Sequence, residues 1–196
     1  MLNAAEVYTE FFKTFREVSG PNEQFEVTGR PNGFAASLEA LLGFKAAVLA
    51  RPSGRILDAG SGVSSALLRL WFPPHVTTCD SDPAYMALVK ETCARLADKF
   101  QAPELALDSY VTGYFDQPVD ATFYDYGNFD QRIEFLPQVL EHTRHLIYLD
   151  DVDHRERGAQ VRGAVYWHAR TKGWSLTDRP DLVDEYGRWG VMATRI

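Results

Sequence analysis

The sequence predicts an α/β domain: a doubly wound, seven-stranded, mostly parallel sheet with an antiparallel C-terminal hairpin and helices on both faces. Three observations carry this expectation. From Arg55 onward, short apolar runs alternate with segments of helical periodicity, the pattern of strands joined by crossover helices. The first of these strands runs into a glycine-bearing turn, Asp58-Ala59-Gly60-Ser61-Gly62, which opens a helix. The last two strands have no helix between them, so they can pair as a hairpin.

The elements follow in order. Asn3 with Glu6 has the form of a capping box. Val7, Phe11, Phe15 and Val18 then repeat at helical spacing, giving a first helix over residues 4–18 that Gly20-Pro21 stops. Gly29, Pro31, Asn32 and Gly33 make a loop of residues 22–33. Ser37 caps a second helix with Leu38, Leu41, Leu42, Val48 and Leu49 expected on its buried side, closed by Pro52-Ser53-Gly54. Arg55 to Ala59 is the first strand, and the helix after it carries Leu67, Leu68, Leu70 and Trp71 up to Pro73-Pro74. Val76 to Asp80 is the second strand; Asp82 then caps a helix with Pro83 at its first position and Met86, Val89, Cys93 and Leu96 on one face. Leu105 to Leu107 is read as a third strand and Ala121 to Tyr124 as a fourth. The helix with Ile133, Val139 and Leu140 must kink at Pro137 or restart there. Leu146 to Leu149 is the fifth strand, Glu156 to Lys172 a helix with Trp167 and His168 read as packing residues, and Trp174 to Thr177 and Gly190 to Thr194 close the sheet.

Composition narrows the function classes. The 196 residues are 45% hydrophobic and 24% charged, which suits one globular domain with a real core. We read residues 1–196 as that single domain, with residues 1–50 a helical segment that can cap a substrate pocket and residues 54–196 the ligand-binding core. The formal net charge of -7 argues against a nucleic acid partner, because Arg and Lys are scattered and the densest group, Arg155, Arg157 and Arg162, has Glu156 inside it. Cys79 and Cys93 fall on a strand and the next helix, as two free thiols of a reducing compartment. No apolar run approaches a bilayer span and the N-terminus carries Glu6 and Glu10, so a cytoplasmic protein is expected.

The chemistry concentrates at strand ends. A glycine in the first turn lets the backbone bend sharply and lets a ligand approach, and the following helix presents free N–H groups. Asp80 stands twenty residues after Gly60, at the end of the second strand, where a carboxylate can accept two hydrogen bonds from a ribose diol. The arrangement suits an adenosine-containing ligand. A nicotinamide dinucleotide would call for a glycine where Ser65 stands. Asp58, Gly60, Ser61, Gly62, Ser64, Ser65, Asp80 and Ser81 are therefore candidate ligand-binding residues, joined by Tyr124 and, beside the adenine, by Asp108 and Ser109. Tyr110, Tyr114, Tyr124 and Tyr126 are an aromatic group expected around the cleft, for stacking or for the core.

The run Ile56-Leu57-Asp58-Ala59-Gly60-Ser61-Gly62 resembles the first motif of the Rossmann-like class I methyltransferases that use S-adenosylmethionine (SAM), with Ser64 in place of a third glycine. Cys79-Asp80-Ser81-Asp82-Pro83 resembles their second acidic motif, and the terminal hairpin is similar to theirs. The resemblance implies that the glycine loop holds the amino acid part of SAM and that Asp80 holds its ribose. A looser likeness concerns Phe123-Tyr124-Asp125 and Tyr148-Leu149-Asp150-Asp151-Val152, which are similar to the catechol-type O-methyltransferases and to related families with an Asp-Gly-x-His motif. It implies a Mg2+ ion at Asp125, Asp150 and Asp151; such carboxylates repel one another unless a cation or protons neutralise them. Two positions depart: Asn128 stands where that type has lysine, and Asp150-Asp151 where it has Asp-Asn.

The expected reaction is methyl transfer from SAM to a small-molecule acceptor, preferably a hydroxyl oxygen. Asp125, Asp151 or His154 would take the acceptor's proton, although His154 reads equally as a surface loop residue. The alternatives are a SAM-binding partner subunit without turnover and a small NAD-type oxidoreductase.

Overall fold

In the computed structural model, which describes residues 2–20, 36–51, 54–113, 115–150, 152, 156–183 and 187–196, the strand at the hub of the sheet is β1 (Ile56–Ala59), buried along its whole length. It pairs in parallel with β2 (Val76–Asp80) on one side and β4 (Val119–Tyr124) on the other. The full order is β3-β2-β1-β4-β5-β7-β6, with β3 at Tyr110–Thr112, β5 at Thr143–Leu149, β6 at Trp174–Asp178 and β7 at Val191–Arg195. β7 is antiparallel to both β5 and β6, which confirms the expected closing hairpin. The chain winds outward from β1 in both directions, so β1 and β4 flank the switch point where an open sheet leaves a crevice at its carboxyl ends.

Helices cover both faces. Ile56, Val76, Phe123 and Tyr148 point to the layer of α1 (Ala4–Ser19), α2 (Leu38–Leu49), α3 (Val63–Trp71) and α4 (Pro83–Phe100). Leu57, Cys79, Tyr124 and Ile147 point to the layer of α5 (Phe129–His142) and α6 (Glu156–Thr171). Neighbouring residues of one strand thus serve opposite layers, the two-residue period of a sheet buried on both sides. Both thiols are free and buried, and burial pushes each up to about 12. No described helix is long and apolar enough to cross a membrane.

Several expectations change. Asn3 caps α1 by accepting the Ala5 N–H at 3.0 Å, one residue short of the Glu6 N–H that a capping box uses. In α2 the buried residues are Ala40, Leu41, Phe44 and Val48, which share one face of the helix and leave Leu42 and Leu49 on the solvent side. Residues 22–33 and 52–53 lie outside the described residues. The third strand is not at Leu105–Leu107, where the chain makes a short 3-10 turn, Pro103–Leu105; it is the three-residue edge strand Tyr110–Thr112. α5 runs through Pro137 as one helix, losing only the one N–H that proline lacks. In α6 the buried side chains include Val161, Val165 and Ala169, so Trp167 faces away from the core and is 70% exposed, while His168 is half-buried.

Candidate functional site

Strand register builds the site. Ala59 pairs with both Cys79 and Tyr124, and Tyr124 pairs with Leu149. The next residue on each strand therefore emerges in one row at the carboxyl edge: Asp80, Gly60, Asp125 and Asp150. Backbone bonds knit that row: the Gly60 N–H donates to the Cys79 carbonyl at 2.8 Å, Asp125 N–H to Ala59 at 2.7 Å, and Asp150 N–H to Tyr124 at 3.0 Å.

The two loop glycines have different reasons. Gly60 sits at φ +104, and a Cβ there would come within 2.2 Å of the Asp125 carbonyl oxygen, so the approach of the β4 backbone excludes any side chain. Gly62 is extended, and a Cβ there would meet only the Tyr85 hydroxyl, at 4.0 Å. Among the described residues, no other group comes within 4 Å of that position, which lies at the N-terminus of α3.

Asp80 is buried at the wall of this space. Its Oδ2 accepts from the Ser61 N–H at 2.7 Å and the Ser61 hydroxyl at 2.6 Å, and its Oδ1 accepts from the Asp82 N–H at 2.9 Å. The carboxylate thus clamps the glycine loop to the end of β2. A carboxylate offers about four lone-pair sites, and these three protein donors already take three of them.

Asp58, Ser64 and Ser65 lie beneath the loop. Asp58 is 0% exposed; its Oδ2 accepts from the Ser65 hydroxyl at 2.6 Å and the Thr78 hydroxyl at 2.9 Å. Ser65 in turn accepts the Gly62 N–H at 3.2 Å, and the Ser64 hydroxyl reaches the Gly60 carbonyl at 3.4 Å. Arg69, which sequence reading passed over, lies buried below them and donates to the Thr78 hydroxyl at 2.7 Å. These groups brace the loop from the core side.

Desolvation raises the Asp58 carboxyl above its ordinary 3.8, against the lowering effect of its hydroxyl donors and Arg69. A carboxyl raised on folding binds more protons folded than unfolded, so its ionisation costs stability as pH rises from the ordinary value through the raised one. Asp58→Asn removes that ionisation while keeping an acceptor. Its melting temperature relative to wild type is expected to climb as pH rises above 3.8; a difference independent of pH would show that Asp58 titrates normally.

Two tyrosines complete the walls. Tyr85, from the first turn of α4, is held under Phe15 of α1, with ring centroids 5.6 Å apart. Burial raises its phenol, and the negative charges of Asp80, Asp125 and Asp82 add to the effect. The Tyr126 hydroxyl bonds the Ser81 side chain, bridging the ends of β4 and β2, and burial pushes it up to about 12. Tyr124 turns to the other layer and donates to the Arg132 carbonyl at 2.9 Å.

Some expected residues fall elsewhere. Asp108 and Ser109 precede β3 and so lie at the end of the sheet away from the row. Asp108 is 82% exposed and faces Arg69 at 3.8 Å, and the Ser109 carbonyl accepts from Arg69 at 2.5 Å. The residues that do reach the row from β3 are Thr112, paired with Asp80, and Gly113, whose N–H donates to the Asp80 carbonyl at 2.6 Å. Tyr110 is exposed at the sheet edge, under Lys90 at 4.6 Å from its ring centroid. Asp151, His154 and Tyr114 lie outside the described residues.

Asp125 is ion-paired with Arg132, another residue that the sequence reading did not single out. Among the described residues, no group of three His, Cys, Asp or Glu side chains could hold a metal ion. The residues that are described do not fit the expected Mg2+ site: a guanidinium lies against Asp125, the first of the three carboxylates.

No protein-family model and no curated protein matches the chain. Among solved structures, it is similar to the magnesium protoporphyrin IX methyltransferase of Synechocystis with bound SAM, at 15% identity and a TM-score of 0.60, over 100% of this chain and 99% of that one. It is also similar to cofactor-bound Rv0187 from MTB, at 13% identity and a TM-score of 0.68, over 97% of this chain and 89% of that one. A third likeness is to a SAM-dependent O-methyltransferase from Thermotoga maritima, at 11% identity and a TM-score of 0.53, over 83% of this chain and 66% of that one. The chain has the class I SAM-dependent methyltransferase fold.

Proposed function

We propose that this protein binds SAM and transfers its methyl group to the hydroxyl oxygen of a small-molecule acceptor. The observation that carries this reading is the row of Asp80, Gly60 and Asp125 at the switch point, with only the Tyr85 hydroxyl near a Gly62 Cβ among the described residues. SAM supplies an electrophilic methyl group on a sulfonium. The chain's part is to hold the amino acid portion at the loop, to hold the ribose at Asp80, and to align the acceptor from the β4 and β5 side. The acceptor's proton passes to Asp125, Asp151 or His154, the acidic and imidazole groups that the sequence brings to the ends of β4 and β5. α1 forms the upper boundary of the pocket in this reading, which the Phe15–Tyr85 contact supports.

Titration calorimetry with S-adenosylhomocysteine tests the donor half. Binding in the micromolar range is expected, and no heat at millimolar ligand would sink the reading and bring forward the nicotinamide alternative, tested with NADH. A methyl transfer assay on hydroxylated acceptors then separates an enzyme from a SAM-binding partner subunit.

A further inference from the structure

The chain answers the acidic ends of β4 and β5 with a cation of its own. Arg132 stands in the first turn of α5, almost fully buried and ion-paired with Asp125 Oδ1. Its Nη1 also donates to the Asp150 carbonyl at 3.4 Å, so one side chain spans both strand ends. Three features hold it there. The guanidinium lies 5.2 Å from the centroid of the Phe129 ring. The Tyr124 hydroxyl donates to the Arg132 carbonyl at 2.9 Å. Asn128 and Gln131 fix the start of α5 by a reciprocal capping box, each bond 3.0 Å. A guanidinium braced in this way is in place before any ligand arrives.

We propose that the acceptor side of this site works without a divalent metal, because the buried guanidinium of Arg132 is ion-paired with Asp125, where a metal ion would meet a like charge. The inference rests on the methyltransferase reading only for calling this side the acceptor side. A guanidinium carries donors and no acceptor, and it does not lose its proton in proteins. Mg2+ sheds water reluctantly and takes carboxylate oxygens in a near-octahedral shell. To ligate Asp125 it would have to displace a buried ion pair or sit beside a like charge at a partly desolvated site. The sequence is consistent with the substitution: position 128 carries a helix-capping asparagine, and the cation enters one helical turn later.

The test uses the full chain and Mn2+ as the probe, read by electron paramagnetic resonance, with S-adenosylhomocysteine affinity measured in Mg2+ and in EDTA. Wild type and Arg132→Lys are expected to show no Mn2+ binding that Asp125→Asn removes, and equal affinity for S-adenosylhomocysteine in the two buffers. Arg132→Gln is expected to gain a Mn2+ site at least about 100-fold tighter than wild type, the scale that removal of a neighbouring like charge sets at a partly desolvated position. Adding Asp125→Asn should abolish that site. Mn2+ binding by wild type that Asp125→Asn removes, or nucleoside binding that needs Mg2+, would overturn the inference. So would an Arg132→Gln protein that folds and gains no site. The wild-type and Asp125→Asn arms decide the matter even if Arg132→Gln does not fold. Failure to bind S-adenosylhomocysteine in either buffer would instead strike the donor reading and leave the Mn2+ result standing.

Discussion

Asp80→Ala is expected to lower affinity for S-adenosylhomocysteine by roughly 100-fold or more, the loss of two hydrogen bonds to a charged group at about 1.5 kcal/mol each. The same change releases the loop, because Asp80 accepts from the N–H and hydroxyl of Ser61 and from the Asp82 N–H. A fall in melting temperature should therefore accompany the loss of binding. Ser61→Ala separates the two effects. It removes one neutral donor from Asp80 and leaves the carboxylate for the ribose, so its affinity should stay within about tenfold of wild type. Both affinities come from calorimetry on protein shown to be folded by circular dichroism. If folded Asp80→Ala binds within twofold of wild type, Asp80 belongs to the loop alone and the ribose lies elsewhere.

The second large effect contrasts the two glycines. Gly60→Ala puts a methyl group 2.2 Å from the Asp125 carbonyl oxygen, on a backbone at φ +104. Overpacking and left-handed strain together cost about 2–6 kcal/mol. That is a large share of a typical domain's stability of about 5–15 kcal/mol, so urea unfolding should show a much lower midpoint or no folded protein. Among the described residues, Gly62→Ala meets only the Tyr85 hydroxyl at 4.0 Å, on an extended backbone. Its stability should be unchanged or higher by about 0.4–1 kcal/mol, through a less flexible unfolded chain. Binding should suffer, since the added methyl group enters the space in front of the α3 N–H groups. If Gly60→Ala is as stable as wild type, β4 does not approach the loop as described. If Gly62→Ala binds S-adenosylhomocysteine normally, the ligand does not cross the loop at that point.

The comparison between Gly60 and Gly62 also shows how far a sequence reading reaches. Both glycines mark the turn, and one motif suggests one purpose for them. Only the tertiary structure reveals that the first is imposed by the neighbouring β4 backbone, while the second has only the Tyr85 hydroxyl near it among the described residues. The same division runs through the rest of the chain. β2, the Asp82 cap with Pro83, and the buried face of α4 were legible because caps and periodicity are local properties of a dozen residues. β3 was misplaced because a three-residue edge strand has too few positions to show a period, and the apolar Leu105 and Leu107 are buried without being a strand. That slip carried Asp108 and Ser109 to the wrong end of the sheet.

By itself, then, the sequence determined the alternation of strands and helices, the closing hairpin, and the placing of Gly60 and Asp80 at the carboxyl ends of β1 and β2. Each is encoded in residues close together along the chain. The tertiary structure alone decided which groups face one another. It set Arg132 against Asp125, Arg69 beneath Thr78, and Tyr126 across to Ser81. It also turned Trp167 outward, because the buried stripe of α6 runs through Val161, Val165 and Ala169. Such partnerships depend on strand register and helix rotation, which are settled by packing across the whole core and leave no local trace in the order of residues.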